Sequence, residues 1–210
     1  MSADSSPRVK RIGVFGGAFD PPHNAHVALA LAALDQFELD LLYVIPTGPA
    51  WYKARALSAP VHRLAMTRLA FEEMPRVVVD DRELKRAAPT FTFDTLQTLQ
   101  AEDPQAQLYL FIGADQFAAF RQWHRWQAIS ELAIICIADR AQYTLTQTQC
   151  DAFPDHNNRF AALKLPLMPV SATQIRKLLA SDEVSAAGIA QLVPTSVARY
   201  ISLHHLYRSY

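Results

Sequence analysis

The chain has 210 residues, of which half are hydrophobic and 19% are charged, the proportions of a globular protein large enough for one substantial core. Its 20 basic and 20 acidic residues cancel, so no bulk basicity invites nucleic acid, and a phosphate ligand must be drawn by a local site. Two cysteines are too few for a disulfide framework, residues 1–8 lack an apolar signal segment, and no run approaches the about 20 apolar residues of a membrane span. The expectation is a cytoplasmic protein with no membrane or nucleic-acid partner.

Residues 1–8 are expected to be a flexible tail, and 9–210 a single domain whose last part, 165–210, is helical. Ile12 to Phe15 is a short apolar run, long enough for a buried strand. Gly16 and Gly17 interrupt it where backbone turns tightly or a ligand comes close. Asp20-Pro21-Pro22 reads as a helix start with Asp20 as its cap, which puts His23 and His26, at i and i+3, on one face of the first turn. Val27 to Leu34 is a helix apolar nearly all round and expected to be well buried.

Leu39 to Ile45 is the second strand, and Thr47 to Pro60 lacks periodicity and reads as a long loop. Pro60 opens a helix with Val61, Leu64, Ala65, Arg68, Leu69 and Glu72 at helical spacing. Val77 to Val79 is a third strand, Phe93 to Ala101 a helix, and Leu108 to Ile112 a fourth strand closed by Gly113. Ala114 to Trp123 and Trp126 to Leu132 are read as helices, Ala133 to Ala138 as a fifth strand, and Gln142 to Leu163 as irregular. A helix then starts at Ser171, and Ser196 to Tyr207 closes the chain. Apolar strands alternating with helices predict an α/β fold, a doubly wound parallel sheet covered on both faces. Ligands bind such sheets at the carboxyl ends of strands. That rule gathers Gly16-Gly17, Pro46 to Arg55 and Gly113-Ala-Asp115 around one crevice.

A strand, a glycine turn and a helix N-terminus form a ready anion site, to which two imidazoles add donors for a polyphosphate. Neither the dinucleotide fingerprint nor the phosphate loop ending in Gly-Lys-Ser/Thr occurs. Zinc is a weaker reading, because paired helix ligands are more familiar at i, i+4 and no third ligand follows. Read whole, Gly-Gly-x-Phe-Asp-Pro-x-His-x-x-His at 16–26 resembles the signature of the nucleotidyltransferase superfamily, whose members adenylylate or cytidylylate phosphorylated small molecules. Ser171-Ala-Thr-Gln-Ile-Arg176 is similar to that superfamily's second motif, with Val170 where isoleucine is usual. Taken alone, Ser171 is a helix cap and Arg176 a surface charge.

The middle of the chain narrows the resemblance. Residues 81–96, with Glu83, Arg86, Thr90, Phe91 and Thr92, resemble a segment of bacterial nicotinate-nucleotide adenylyltransferases, as does Gly113-Ala-Asp115 running on to Phe120 and Trp123. The resemblance implies a nucleotidyltransferase variant of the doubly wound fold that transfers adenylyl from ATP to nicotinate mononucleotide. It implies ATP contacts at Gly16, Gly17, Phe19, His23, His26, Gly113, Asp115, Ser171, Thr173 and Arg176. It puts the pyridine ring and its carboxylate at Thr90, Phe91, Thr92 and Trp123, and catalytic roles at His23, His26, Lys53 and Arg176, with Lys53 also meeting the substrate. Magnesium is expected as the ATP complex and no metal ligand is assigned; the assembly is expected to be a monomer or small homo-oligomer.

Read without the resemblance, Asp115 caps the helix after Gly113, and Phe117, Phe120 and Trp123 form a core stripe, a reading adopted for the two phenylalanines. Two departures stand out: Phe91 replaces a tyrosine, and Tyr52 stands where the family's loop has a histidine before Lys53. The alternatives are a sister enzyme acting on another phosphorylated substrate, such as phosphopantetheine, and a regulator that holds ATP without chemistry.

Overall fold

The computed structural model describes residues 8–48, 57–87, 89–140, 159–181 and 186–208. Its centre is a six-stranded, wholly parallel sheet in the order β3-β2-β1-β4-β5-β6. The strands are β1 (Arg11–Gly17), β2 (Leu41–Pro46), β3 (Val77–Val79), β4 (Gln107–Gly113), β5 (Ala133–Arg140) and β6 (Phe160–Leu165). Four of the five anticipated strands are the interior ones, and their unbroken apolar runs follow from burial on both faces.

Helices cover both sides. On one face, α1 (Asn24–Gln36), α2 (Pro60–Phe71), α6 (Ala172–Ala180), α7 (Ala186–Ile189) and α8 (Thr195–Leu203) pack on Phe15, Leu42, Val44, Phe111 and Cys136. On the other, α3 (Thr92–Glu102), α4 (Ala114–Ala118) and α5 (Trp126–Leu132) pack on Ile12, Val14, Leu108, Leu110 and Ile135. Alternate residues of β1 and β4 thus feed opposite cores, as the strand pleat requires. The order reverses between β1 and β4, whose paired register runs to Phe15 and Phe111. Beyond it lie Gly16-Gly17 and Ile112-Gly113, at the switch point where such sheets bind ligands.

Several expectations need correction. Phe160 to Leu165 is a sixth strand, although two alanines and Lys164 give it little strand signal. The helix expected over Ala114 to Trp123 stops at Ala118 and resumes as a 3₁₀ turn over Phe120–Gln122. The buried face of α2 is Arg63, Met66, Thr67, Ala70 and Phe71, whereas Val61, Arg68 and Glu72 are exposed. In α1 the buried residues are Leu29, Ala30, Ala33 and Leu34, while Leu31 faces outward. The closing helix ends at Leu203, and 204–207 form a turn. Most of the segment read as irregular, including Cys150, and the loop residues Tyr52, Lys53 and Arg55 lie outside the described residues.

Candidate active site

The histidine motif fills the turn from β1 into α1. No described glycine has positive φ, so the glycines here supply space more than unusual dihedrals. A Cβ built on Gly16 would meet nothing within 4 Å, which leaves open room beside the strand end. Phe19, expected at the ATP site, has its ring 1% exposed and packed edge-on to Phe15 and Phe71. Its own φ is 46°, a left-handed conformation costing about 1–2 kcal/mol that only a fixed surrounding sustains.

Asp20 is not a helix cap. α1 starts at Asn24, with His23 at the capping position in extended conformation. The residue before a proline is driven out of the helical region, so neither Asp20 nor Pro21 can enter the helix. The shift makes the two histidines interlock: the His23 N–H donates to His26 Nδ1 at 3.1 Å. Their rings stack at 3.6 Å between centroids. With Nδ1 accepting, a neutral His26 carries its proton on Nε2, which makes the outer nitrogen the donor. His23 is buried at 4% exposure.

The second motif sits against the first. Ser171 Oγ accepts the Gln174 N–H at 3.2 Å and caps α6, satisfying one of the free donors of the first turn. Arg176 Nη2 donates to Thr173 Oγ1 at 3.0 Å, and Nη1 donates to the Asp20 carbonyl at 2.6 Å across 156 residues of sequence. Two motifs remote in the chain therefore meet beside the ends of β1 and β4.

The residues expected to meet the pyridine ring form a second group. Thr92 opens α3, with Phe91 at its capping position and no side chain capping it. The Asp94 and Thr95 N–H groups bond back to the Phe91 carbonyl, so the Thr92 and Phe93 N–H groups precede the first intrahelical bonds. Phe91 lies 4.4 Å from the His124 ring. Trp123 is half-buried against Phe120, whereas Phe117 and Phe120 are core residues as expected. Asp115 is exposed in the first turn of α4, caps nothing, and accepts a bond from Gln116.

Sequence reasoning missed two buried ionic groups that tie these loops together. Glu83 accepts from Thr95 Oγ1 at 2.8 Å, from the Thr90 hydroxyl and from the Gly48 N–H. Its burial raises the carboxyl pKa above the usual 4.5, against the lowering effect of those bonds and of Arg86. A Cβ on Gly48 would lie 2.3 Å from the Glu83 carbonyl, so only glycine lets the loop after β2 approach. Arg63, 2% exposed, donates to the carbonyls of Ser58, Ala18 and Thr47 at 3.1, 3.0 and 2.8 Å. Burial lowers its pKa, partly offset by nearby Asp20 and Tyr207. An arginine on the same helical face as Met66 and Ala70 was the available signal.

Among the described residues no three His, Cys, Asp or Glu side chains are grouped so as to hold a metal ion. Cys136 is fully buried and its thiol pKa is pushed up by desolvation, so it offers no nucleophile.

The cytidylyltransferase-like family model matches residues 14–178. A protein of Albidiferax ferrireducens named probable nicotinate-nucleotide adenylyltransferase is 51% identical over 201 residues, covering 96% of this chain and 100% of its own. One of Methylibium petroleiphilum, with the same name, is 37% identical over 97% of this chain and 95% of its own. The fold resembles that of the Plasmodium falciparum nicotinic acid mononucleotide adenylyltransferase complexed with NaAD, with a TM-score of 0.78 at 21% identity, covering 94% of this chain and 97% of that one.

Proposed function

The chain belongs to the nicotinate-nucleotide adenylyltransferases, within the cytidylyltransferase-like proteins, and on that premise we propose that it joins ATP to nicotinate mononucleotide, giving deamido-NAD and pyrophosphate in NAD biosynthesis. A phosphate oxygen of the mononucleotide attacks the α-phosphorus of ATP in line. The bond from that phosphorus to the bridging oxygen breaks, and pyrophosphate leaves with the electron pair. No protein nucleophile is needed, because the attacking phosphate is already an anion. Catalysis is positioning and charge stabilisation.

In this reading His23 and His26 donate to the ATP phosphates, and Arg176 and Lys53 stabilise the leaving pyrophosphate. Gly16 leaves room for the nucleotide, Gly17, where a Cβ would lie 3.0 Å from the Phe19 ring, meets it through backbone, and Ser171 and Thr173 set the second motif. Gly113 and Asp115 face the nucleoside end. Thr90 to Thr92 receive the ring carboxylate and Trp123 stacks on the pyridine. Magnesium enters as part of the ATP substrate. Residues 9–210 act as one domain, as a monomer or small homo-oligomer. The cytoplasm suits it, since Cys136 is a free thiol and no helix among the described residues is long and apolar enough to cross a membrane.

The observation that supports the reading is the Arg176–Asp20 hydrogen bond, which brings the two motifs into contact. The test is pyrophosphate release on mixing with ATP and one acceptor at a time. Release with nicotinate mononucleotide is expected. Release with phosphopantetheine alone, or with neither acceptor, would overturn the assignment.

A further inference from the structure

The turn that carries the histidines is held from behind by residues that belong to neither motif. Asp20 is 1% exposed. One of its carboxylate oxygens accepts the Tyr207 hydroxyl at 2.7 Å, across 187 residues of sequence, and the other accepts the Ser58 N–H at 3.2 Å. Ser58 is also one of the three carbonyls that Arg63 binds, and Ala18, two residues before Asp20, is another. The Tyr207 hydroxyl in turn lies 4.0 Å from the Met66 sulfur, one turn along α2 from Arg63. The turn is thus gripped at Ala18 by α2 and at Asp20 by the C-terminal turn.

We propose that Arg63 and Tyr207 are positioning residues for the phosphate-binding turn, acting through the Ala18 carbonyl and the Asp20 carboxylate to fix where Gly17 and His23 stand. The inference rests on the adenylyl-transfer reading given above. The chemistry suits a positioning task. A guanidinium presents several donors in one rigid plane, so three carbonyls from separate segments are held at fixed mutual angles, which a lysine ammonium cannot reproduce. A buried arginine is costly to desolvate and persists where each bond is made. Neither side chain needs to touch ATP: a displacement of about 1 Å in a catalytic group costs roughly 10²-fold in rate.

The test uses the full chain with Tyr207→Phe, which removes one hydroxyl and keeps the ring, and Arg63→Lys, which keeps the charge and loses the fork. Turnover and both Michaelis constants are measured well below each variant's melting temperature, and ATP affinity is measured by titration calorimetry. For Tyr207→Phe, kcat/KM for ATP is expected to fall about tenfold, with the constant for nicotinate mononucleotide within about twofold of wild type. Arg63→Lys should fall further with the same split. If Arg63→Lys fails to fold, Tyr207→Phe decides alone. Wild-type kinetics with a lowered melting temperature would make the contacts merely structural and overturn the proposal, as would equal rises in both Michaelis constants. Should the wild-type protein release no pyrophosphate, the adenylyl-transfer reading fails by itself. ATP affinity then still decides: about tenfold weaker in Tyr207→Phe upholds the positioning role, and unchanged affinity refutes it.

Discussion

His26 has one ring nitrogen committed to the His23 N–H, so the backbone sets its ring orientation. In the proposed mechanism the other nitrogen is then a preorganised donor to phosphate. In the same mechanism the His23 side chain is itself a donor to the ATP phosphates, so His23→Ala should lower turnover by roughly 10²–10³, the scale of losing one transition-state donor, while the variant still melts cooperatively. Turnover within a few fold of wild type would remove His23 from the chemistry. Glu83 makes a second prediction, in stability. Burial raises its folded pKa above the unfolded value near 4.5, so in the window between the two the native state keeps a proton that the unfolded chain has lost. Stability from this group is present below pH 4.5 and falls as pH rises through the window. Glu83→Gln should remove that downward slope, and melting curves across this range check it; parallel slopes in the two proteins would contradict the assignment. The burial of Arg63 and of Asp20 was illegible in the sequence. The apolar spacing of Val61, Leu64 and Leu69 points to a helical face adjacent to the one that is buried, and Arg63 lies on the latter. Asp20 looked like a cap because only the third dimension brings Tyr207 and Ser58 to it.

At the scale of elements, the proposed site draws on three helix N-termini. α6 begins at a serine cap, α1 at His23, and α3 at Phe91 with no side-chain cap. An uncapped start leaves backbone donors and the positive dipole end for an anion, which suits a ring carboxylate at Thr92. Trp123→Ala should then raise the Michaelis constant for nicotinate mononucleotide and leave that for ATP nearly unchanged, with a loss of about 1–3 kcal/mol on the scale of base stacking. If both constants rise together, Trp123 is a core residue beside Phe120. The sequence made the strands of the interior visible because each is buried on two faces and reads as a continuous apolar run. It hid β6, whose alanines carry no strand preference, and the break after Ala118, where a short helix yields to a 3₁₀ turn so that Phe120 can pack while Trp123 stays half-buried.

For the whole molecule, strand order decides where everything else can be. The reversal between β1 and β4 leaves a crevice at their carboxyl ends, and α6 returns late in the chain to place Arg176 on Asp20. The acceptor group around Glu83 lies beside the same crevice through Gly48, just beyond β2. The two halves of the proposed site are thus built by different stretches, with buried Arg63 and Glu83 tying their loops together. In the proposed reaction the acceptor is the acid. Nicotinate mononucleotide carries a ring carboxylate, and the nicotinamide form a neutral amide of nearly the same shape, so discrimination must come from hydrogen-bond polarity. Backbone N–H groups near Thr92 satisfy a carboxylate and would leave the amide NH₂ facing donors, and an unpaired buried group costs about 1–3 kcal/mol. The most direct measurement is kcat/KM for the two mononucleotides, with ATP and magnesium held fixed. A preference for the acid of roughly 10²-fold or more is predicted; equal values, or a preference for the amide, would contradict the account.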